Sequence, residues 1–472
     1  MADRLRPYLF YDVAVSICSA CFRKIEAKIV FEDGNVFMLK RCPTHGFERV
    51  LIADDVDYYK RCREVFLKPP EMPNRFNTPI KWGCPYDCGL CPDHEQHSCL
   101  TLVEVTDFCN LRCPICYAES GPERRNHRDL ATIERMLDAV VANERRPDVV
   151  QISGGEPTLH PDFFRILDAA RARPIQHLMV NTNGTRIASD PEFAERLAGY
   201  MPGFEVYLQF DSFEEGPLRQ LRGADLRSVR HAAIERLNKL GISTTLVVTV
   251  QRGLNDGELG KIIEYAAQQP AVRGVVFQPV QVAGRTDGFD PARNRITLTE
   301  VRRRILEQTP LFRPEDIIPV PCHPDSLAMA YALKTDAGLT PLTGLVDPEI
   351  LINAGRNTIV FEGDDALQAA VFKTFSTNHS PQSASATLRE LLCCLPKVDA
   401  PAGIDYRSVF RIIIMQFIDA QAFDVRSVKK TCVHIAHPDG KRLIPFDTYN
   451  LFYRDNLEPT RLAGLREMVS NA

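Results

Sequence analysis

The sequence predicts an α/β fold in which a partial, parallel (β/α)6 barrel is flanked by an N-terminal zinc-ribbon-like module and a C-terminal α+β extension. Apolar, β-rich runs alternate with helical periodicity from residue 100 to about residue 285. Eleven of the fifteen cysteines precede residue 117, most of them in tight clusters, which favours metal binding over a disulfide framework. The segment after residue 286 is less regular.

Residues 1–67 are predicted to form the zinc-ribbon-like module. Cys18-x-x-Cys21 and Cys42-x-x-His45 are two knuckle pairs of the kind that hold zinc tetrahedrally, or a rubredoxin-like iron. Alternating stretches around an Asp-Gly pair indicate a β-hairpin between the knuckles. We therefore expect these four side chains to bind one zinc or iron ion.

Residues 68–99 begin with a segment rich in proline and asparagine, which predicts a linker, and continue into a loop with four cysteines. Four thiolates suit a closed auxiliary [4Fe–4S] cluster, or else a structural zinc. The predicted ligands of this auxiliary cluster are Cys84, Cys88, Cys91 and Cys99.

Six apolar, β-rich runs predict the strands of a core at residues 100–285. They are Leu100–Val105, Val149–Ile152, His177–Val180, Glu205–Phe210, Thr244–Val250 and Gly274–Phe277. Helical periodicity fills the gaps between the runs. In a barrel of this kind the chemistry lies where the C-termini of the strands meet the following loops.

The loop after the first predicted strand contains Cys109, Cys113 and Cys116, followed by Tyr117. Cysteine thiolates are the usual ligands of iron–sulfur clusters, and short spacings let one loop supply several of them. Three cysteines leave a fourth iron without a protein ligand, so that a small molecule can bind there. A structural zinc is the alternative, and the position after a strand favours iron–sulfur.

Polar and glycine-rich positions follow the later strands. The second strand is followed by a Ser-Gly-Gly-Glu-Pro string, in which the glycines let the backbone approach a ligand closely. Asn, Gln and Asp side chains at further strand ends can hydrogen-bond a ligand, although turns and caps use the same residue types. The candidate cofactor-binding residues are Gly154, Gly155, Glu156, Pro157, Asn181, Gln209, Asp211 and Gln278.

The cysteine loop and the glycine-rich turn, in this order, resemble the motifs of the radical S-adenosylmethionine (radical SAM) superfamily. The resemblance implies a radical SAM partial (β/α)6 TIM-like barrel. It also implies that S-adenosylmethionine binds the open iron and is cleaved reductively to a 5′-deoxyadenosyl radical, which abstracts hydrogen. The glycine-rich turn would hold the cofactor's amino group, and a reductant such as ferredoxin or flavodoxin would supply the electron.

Residues 286–472 are predicted to be a substrate and auxiliary-cluster domain. Cys322 and Cys432 are candidate ligands of a further cluster, with Cys393 or Cys394 as a third. Cysteines are also common in protein cores, so buried free thiols are the alternative.

Longer strings resemble a subgroup described as tetraether-lipid synthases, membrane-spanning lipid synthases and hydroxymethylpterin methylases. The strings are Trp82–His94, Cys322–Asp325, Cys432–His434 and Ile444–Phe446. In the subgroup a cysteine often follows the last string, where this chain has Asp447. The resemblance implies carbon–carbon coupling of lipid hydrocarbon chains, radical methylation of a pterin precursor or, less directly, peptide modification.

We predict lipid coupling, because the subgroup resemblance and the apolar stretch from Val409 to Ile418 both favour a chain-like substrate. That stretch would line a lipid channel, and a buried core strand explains the same pattern. No Asp-x-His-x-x-Gly string is present, which argues against a cobalamin-dependent methylase. The barrel pattern disfavours a non-enzymatic metal-binding adaptor.

Charge and hydropathy limit the predicted partners and location. The formal net charge is −4, which predicts no nucleic-acid partner. No apolar run is long enough to span a bilayer, and the N-terminus lacks the apolar stretch of a signal peptide. We therefore expect a cytoplasmic enzyme with a small-molecule or lipid substrate, and peripheral membrane contact in the lipid case.

Overall fold

The structure, a computed structural model, describes residues 6–335, 338–353 and 408–470. Its N-terminal part is a four-stranded antiparallel sheet in which each strand pairs with the next along the chain. The strands are β1 (Leu9–Ile17), β2 (Lys24–Glu32), β3 (Asn35–Cys42) and β4 (Gly46–Ala53). The predicted hairpin is therefore present, between β2 and β3.

The remaining strands lie in one large sheet, apart from two short strands that pair with each other. They are β5 (Leu100–Glu104), β6 (Ile115–Cys116), β7 (Val149–Ser153), β8 (His177–Thr182), β9 (Phe204–Gln209), β10 (Thr244–Val250), β11 (Val272–Pro279), β12 (Arg285–Thr286), β13 (Ile318–Pro319), β14 (Leu327–Thr335), β15 (Gly338–Pro341), β16 (Val409–Met415), β17 (Val433–Ala436) and β18 (Leu443–Pro445). The six predicted core strands are all present, with ends that differ by at most two residues.

Eight strands of the large sheet run parallel, in the spatial order β17-β5-β7-β8-β9-β10-β11-β16. The six core strands are neighbours in chain order, as expected for successive β/α units. The C-terminal segment supplies the two outer strands, because β16 pairs with β11 and β17 pairs with β5. The segment after residue 286 therefore extends the core sheet at both edges.

Helices connect the strands of the sheet. They are α1 (Val56–Glu64), α2 (Leu130–Glu144), α3 (Phe163–Arg171), α4 (Thr185–Ser189), α5 (Pro191–Ala198), α6 (Glu215–Arg222), α7 (Arg227–Leu240), α8 (Leu259–Gln268), α9 (Pro291–Asn294), α10 (Leu298–Gln308), α11 (Pro348–Asn353), α12 (Val425–Lys429), α13 (Phe446–Thr448) and α14 (Ala463–Ser470). Asp129 caps α2 by accepting a hydrogen bond from the Thr132 amide at 2.7 Å. No helix among the described residues is long and apolar enough to cross a membrane.

The apolar stretch from Val409 to Ile418 begins with β16, which lies between β11 and β14. Phe410 and Ile414 pack in the core on one face of the sheet, whereas Met415 packs in the core on the other face. A strand buried on both faces is continuously apolar without lining a channel. Most of the stretch is therefore a core strand, and only its end faces the main cavity, through Met415 and Phe417, so the apolar pattern by itself does not indicate a lipid channel.

A buried ionic network lies at the end of the barrel where the parallel strands begin. Arg411 donates to both carboxylate oxygens of Glu205, at 2.9 and 3.1 Å, and His177 lies 3.1 Å from the same carboxylate. Burial opposes ionisation of Glu205, but Arg411 outweighs it and lowers the pKa of the carboxyl to about 2. The main cavity is lined chiefly by residues at the opposite end of the barrel, where the strands end.

Candidate active site and metal centres

The loop that follows β5 places three thiols beside the main cavity. Cys109 and Cys113 are buried, Cys116 is half-buried, and all three line that cavity. Arg285 donates to the backbone oxygens of Cys113 at 2.9 Å and Ser120 at 2.7 Å, which holds the loop in place. Three thiols converging from one loop are the donor set of an iron–sulfur cluster with one open iron, so these residues fit the predicted cluster.

The glycine-rich turn after β7 packs directly on the cysteine loop. The amide of Gly155 donates to the Thr106 oxygen at 2.7 Å, and the amide of Glu156 donates to the Phe108 oxygen at 2.8 Å. A Cβ atom at Gly154 or Gly155 would overlap the Thr106 or Phe108 carbonyl oxygen, respectively. Glycine is thus required at both positions because two backbone segments touch, and the turn positions the loop as well as lining the cavity.

Glu156 lines the cavity, but its carboxylate is hydrogen-bonded to the protein. It accepts hydrogen bonds from the Thr158 and Thr182 hydroxyls, at 2.5 and 2.7 Å, and from the Asn183 amide at 2.8 Å. Burial raises the pKa of Glu156, and these hydrogen bonds oppose the rise. Its contacts make Glu156 a positioning residue for the loop after β8. The predicted ligand Pro157 begins a short helical turn and does not line the cavity.

Amide side chains at the ends of β8 and β9 form a chain along the cavity wall. Asn181 donates to the Ser153 hydroxyl at 3.3 Å and accepts from Gln209 at 2.9 Å. Gln209 accepts in turn from the Arg222 guanidinium at 2.8 Å. Gln278 lies further along the wall and donates to the Tyr207 hydroxyl at 3.0 Å. The structure therefore brings the predicted Asn181, Gln209 and Gln278 together in one cavity.

Asp211 was predicted to contact the cofactor, but it lies behind the cavity wall. Its carboxylate accepts from Arg222 at 2.6 and 2.7 Å and from the Thr249 amide at 3.1 Å. Arg222 outweighs burial and lowers the pKa of Asp211, whereas Asp211 raises that of Arg222 against the effect of burial. The prediction for Asp211 is corrected accordingly: Arg222 lines the cavity, and Asp211 acts through it.

Two arginines of the cavity were missed by sequence reasoning, because neither belongs to a motif. Arg222 ends α6, and Arg230 lies in α7 among other helical arginines. Arg230 is 2 % exposed; its Nε and one terminal nitrogen have no hydrogen-bond acceptor among the described residues, and the Asp211 carboxylate lies 3.7 Å away. Burial lowers the pKa of Arg230 to about 10, so it stays cationic at neutral pH. Arg230 is buried and Arg222 is half-buried, and two such cations beside three thiols suit a ligand with a carboxylate group.

Inside the barrel, the cavity continues into a region with aromatic and amide walls. The rings of Phe417 and Phe446 stack with centroids 3.9 Å apart, and Tyr117 meets Phe446 edge-on at 4.9 Å. Gln151 is 3 % exposed, and its Nε2 atom has no hydrogen-bond partner among the described residues. A buried amide of this kind is a ready donor for a bound ligand.

The predicted four-thiolate auxiliary set is divided in the structure. Cys84 and Cys88 lie close enough to interact, with Cys91 nearby. The thiol of Cys99 lies instead within 4.8 Å of Cys322 and Cys432. This is a correction: Cys99 immediately precedes β5, whose pairing with β17 carries it towards Cys432. The chain therefore holds a loop set of three thiols and a separate set assembled from distant segments.

The candidate metal ligands of the C-terminal segment differ in their surroundings. Cys322 and Cys432 meet as predicted, whereas Cys393 and Cys394 lie outside the described residues. Asp447 accepts from the Ile418 amide at 2.6 Å and from the Thr431 hydroxyl at 2.8 Å. Burial raises its pKa to about 6. Its carboxylate thus anchors two backbone segments.

The N-terminal knuckles bring their four predicted ligands together. His45 Nδ1 lies 3.6 Å from the Cys18 sulfur and 3.5 Å from the Cys42 sulfur, and Cys21 lies 3.8 Å from Cys42. These separations suit a tetrahedral ion, for which a metal–sulfur distance of about 2.3 Å places sulfurs about 3.8 Å apart.

Comparison with known proteins agrees with these arrangements. The family described as the radical SAM superfamily matches residues 103–266, and the HMPTM N-terminal zinc ribbon domain matches residues 10–54. The chain is 32 % identical to the 7,8-dihydro-6-hydroxymethylpterin dimethyltransferase of Methanocaldococcus jannaschii, over 94 % of each chain.

Other similarities cover the core. A GTP 3′,8-cyclase of Alkaliphilus oremlandii is 28 % identical over 52 % of this chain and 72 % of its own length. The crystal structure of Streptococcus suis SuiB bound to S-adenosylmethionine superposes with a TM-score of 0.37 and 18 % identity, over 45 % of this chain and 47 % of that one. From the full-length similarity and the matched motifs, we conclude that the chain is a radical SAM enzyme, with [4Fe–4S] and S-adenosylmethionine as cofactors, and that it belongs to the family of the Methanocaldococcus dimethyltransferase.

Proposed function

We propose that this enzyme methylates a pterin or a closely related fused heteroaromatic precursor by radical chemistry. The observation that carries the proposal is the 32 % identity to the hydroxymethylpterin dimethyltransferase, which extends over 94 % of both chains. The matched zinc ribbon belongs to the same group of proteins. Lipid coupling, the first choice from the sequence, has no support from these comparisons or from the buried strand β16.

Cys109, Cys113 and Cys116 are proposed to hold the radical-forming cluster. When bound, the cluster and S-adenosylmethionine supply the 5′-deoxyadenosyl radical that abstracts hydrogen. The backbone of Gly154 and Gly155 lines the same cavity and offers polar groups to the cofactor.

The carboxylate of S-adenosylmethionine is proposed to bind the arginines of the cavity. Arg222 is fixed by Asp211 and by Gln209, and its guanidinium also lies within hydrogen-bonding reach of the Cys113 thiol. Arg230 is nearly fully buried beside the Asn183 backbone oxygen, to which it donates. An anion that reaches these guanidinium groups would gain charge-assisted hydrogen bonds in a site from which water is largely excluded.

The substrate is proposed to occupy the aromatic and amide region inside the barrel. A planar heterocycle can stack on the Phe417–Phe446 pair, and its polar edge can pair with Gln151 and with the Tyr207–Gln278 couple. A hydrocarbon tail would leave the buried Gln151 amide nitrogen without a partner. The cavity is thus better matched to a flat, polar ring than to a lipid tail.

Product analysis tests the proposal. Purified enzyme is reconstituted anaerobically, reduced, and incubated with S-adenosylmethionine, a one-carbon donor mixture from host extract and 7,8-dihydro-6-hydroxymethylpterin. We expect 5′-deoxyadenosine together with pterins in which one or two hydrogen atoms have been replaced by methyl groups. A Cys113→Ala variant should give neither product. Formation of coupled lipid tails with no change in the pterin would contradict the proposal.

A further inference from the structure

We propose that Lys40 of the N-terminal zinc ribbon is a positioning residue for the substrate cavity. Its buried ammonium holds residues 416–422, the wall segment, which carries Phe417 into the cavity wall. The inference rests on the proposed function where it names the substrate, because Phe417 belongs to the region assigned to the heteroaromatic ring. It gives the ribbon a part in substrate binding besides holding a metal ion.

The side chain of Lys40 is enclosed and fully hydrogen-bonded. Lys40 lies on β3, two residues before Cys42, and its side chain has no exposed surface. Its Nζ atom donates to the backbone oxygens of Ile17 and Ala420, both at 2.8 Å, and lies 3.1 Å from a Glu48 carboxylate oxygen. Each of the three ammonium protons thus has an acceptor, which is the condition for burying a charge at low cost.

The acceptors belong to two distant parts of the chain. Ile17 directly precedes the knuckle residue Cys18, and Glu48 accepts a hydrogen bond from the Ser19 amide at 3.3 Å. These groups are part of the metal-binding ribbon. Ala420, in contrast, lies 380 residues beyond Lys40 in the C-terminal segment. Lys40 therefore joins the two parts through a charge-assisted hydrogen bond, which is stronger than a neutral one.

The wall segment connects this hydrogen bond to the cavity. Ala420 lies three residues after Phe417, which lines the cavity and stacks on Phe446. Between them, the Ile418 oxygen accepts from the side chain of Gln281, which also lines the cavity, at 2.8 Å. A shift of the backbone at Ala420 would therefore reach both the stacking ring and the neighbouring amide.

The wall segment depends on individual contacts for its position. It lies between the end of β16 and the start of α12, in neither a helix nor a strand. Asp447 accepts from the Ile418 amide at 2.6 Å, and Arg295 donates to the Asp419 carboxylate at 2.6 Å. A segment held by a few such contacts opens more readily than a paired strand. Loss of the Lys40 contact should therefore loosen it locally.

A second link between the ribbon and the C-terminal segment provides a matched control. Asp12 of β1 forms an ion pair with Arg426 of α12. The two side chains are 37 % and 43 % exposed, so the pair should contribute little. Removing it tests whether any lost contact between the two parts has the same effect as losing Lys40.

Hydrogen–deuterium exchange of the full-length, metal-loaded protein tests the link without any substrate. Lys40→Met removes the donors and keeps an unbranched side chain. We expect exchange across residues 416–422 to be about tenfold faster, because a hydrogen bond from a charged group is lost. The metal content and the exchange of β9 should not change, and Asp12→Asn should behave like the wild type. Exchange of residues 416–422 at the wild-type rate in Lys40→Met overturns the proposal.

A double variant covers the case in which Lys40→Met unfolds. Lys40→Met leaves the Glu48 carboxylate without its cation, and adding Glu48→Gln neutralises that carboxylate. If β9 also exchanges faster in the single variant, residues 416–422 are compared in the double variant instead. Unfolding of the double variant as well would show that Lys40 holds the whole fold and not the wall segment, which also overturns the proposal. Glu48→Gln alone keeps the bond to Ala420, so residues 416–422 should exchange slowly.

Kinetics separate positioning of the wall from a general loss of structure. Lys40→Met should raise the KM for the pterin about three- to tenfold, as expected when an aromatic contact is misplaced. The KM for S-adenosylmethionine in uncoupled cleavage should not change, because the cluster loop follows β5 and not the wall segment. An equal rise in both constants, or a rise in neither, overturns the proposal. If the wild type does not methylate the pterin, the proposed function fails, whereas the exchange experiment still decides whether Lys40 holds the wall segment.

Discussion

The guanidinium of Arg454 donates two hydrogen bonds to the carboxylate of Glu104, at 2.7 and 2.9 Å, and both side chains are buried. Glu104 is the last residue of β5 and directly precedes the radical-forming loop, whereas Arg454 comes from the C-terminal segment. Asn450 accepts two further hydrogen bonds from Arg454. The pair thus ties the C-terminal segment to the strand that carries the cluster loop.

Removing one partner of this pair should destabilise the protein strongly. Arg454→Met leaves the Glu104 carboxylate buried without its cation, which should cost about 3–5 kcal/mol of unfolding free energy. The Glu104→Gln, Arg454→Met double variant should lose less than the sum of the two single variants. Anaerobic denaturant titration measures all three, and strict additivity would show that the pair is not coupled.

The contact between the two glycines and the cysteine loop predicts a steric effect on cofactor cleavage. Gly155→Ala should displace the Phe108 carbonyl and with it the neighbouring Cys109, which lowers iron content and 5′-deoxyadenosine formation. Gly464→Ala is the matched control, because a Cβ there meets no atom within 4 Å. Iron analysis and a cleavage assay should separate the two variants. Equal iron content and activity in both would show that glycine is not required at position 155.

The arginines of the cavity predict an effect on cofactor affinity. Arg230→Gln and Arg222→Gln should raise the KM for S-adenosylmethionine about tenfold or more, since a hydrogen bond between charged groups contributes about 1.5–3 kcal/mol. Asp211→Asn should raise it less, because Asp211 acts through Arg222. Initial rates of 5′-deoxyadenosine formation give these constants. A change in kcat with an unchanged KM would exclude carboxylate binding.

The position of Gln151 predicts a variant that weakens substrate binding without lowering the stability of the protein. Gln151→Leu replaces a buried amide, whose nitrogen has no hydrogen-bond partner among the described residues, by an apolar group of similar size, so stability should be unchanged or higher. The KM for the pterin should rise about tenfold, while uncoupled cleavage of S-adenosylmethionine persists. Thermal unfolding and pterin kinetics on the same samples check both parts. A normal pterin KM would place the ring elsewhere in the cavity.

The Glu205–Arg411 pair predicts a pH-dependent contribution to stability. The pKa of Glu205 falls from 4.5 to about 2 on folding, so ionised Glu205 stabilises the folded state above pH 4.5 by roughly 3 kcal/mol. This contribution is lost as the pH falls from 4.5 towards 2. Glu205→Gln should therefore destabilise the protein at neutral pH and approach the wild type in acid, whereas Glu195→Gln, an exposed control on α5, should change little. Unfolding measured at several pH values checks this, and a constant difference would contradict it.

The sequence by itself determined those features whose parts are close along the chain. The Cys109 loop, the glycine-rich turn after β7 and the Cys18–His45 knuckles were readable because a few residues at short spacing carry each site. The six core strands were predicted to within one or two residues, since buried parallel strands are short, continuous apolar runs between periodic helices.

Only the tertiary structure decided which distant residues meet. Cys99 was grouped by its nearness in sequence to Cys91, whereas the pairing of β5 with β17 places it beside Cys432. Arg222 and Arg230 lie on helices without a motif, so their role depends on which way those helices face. The same holds for Val409–Met415. An apolar run predicts burial, but the strands that flank it are β11 and β14, which lie far away along the chain, so local periodicity cannot identify them.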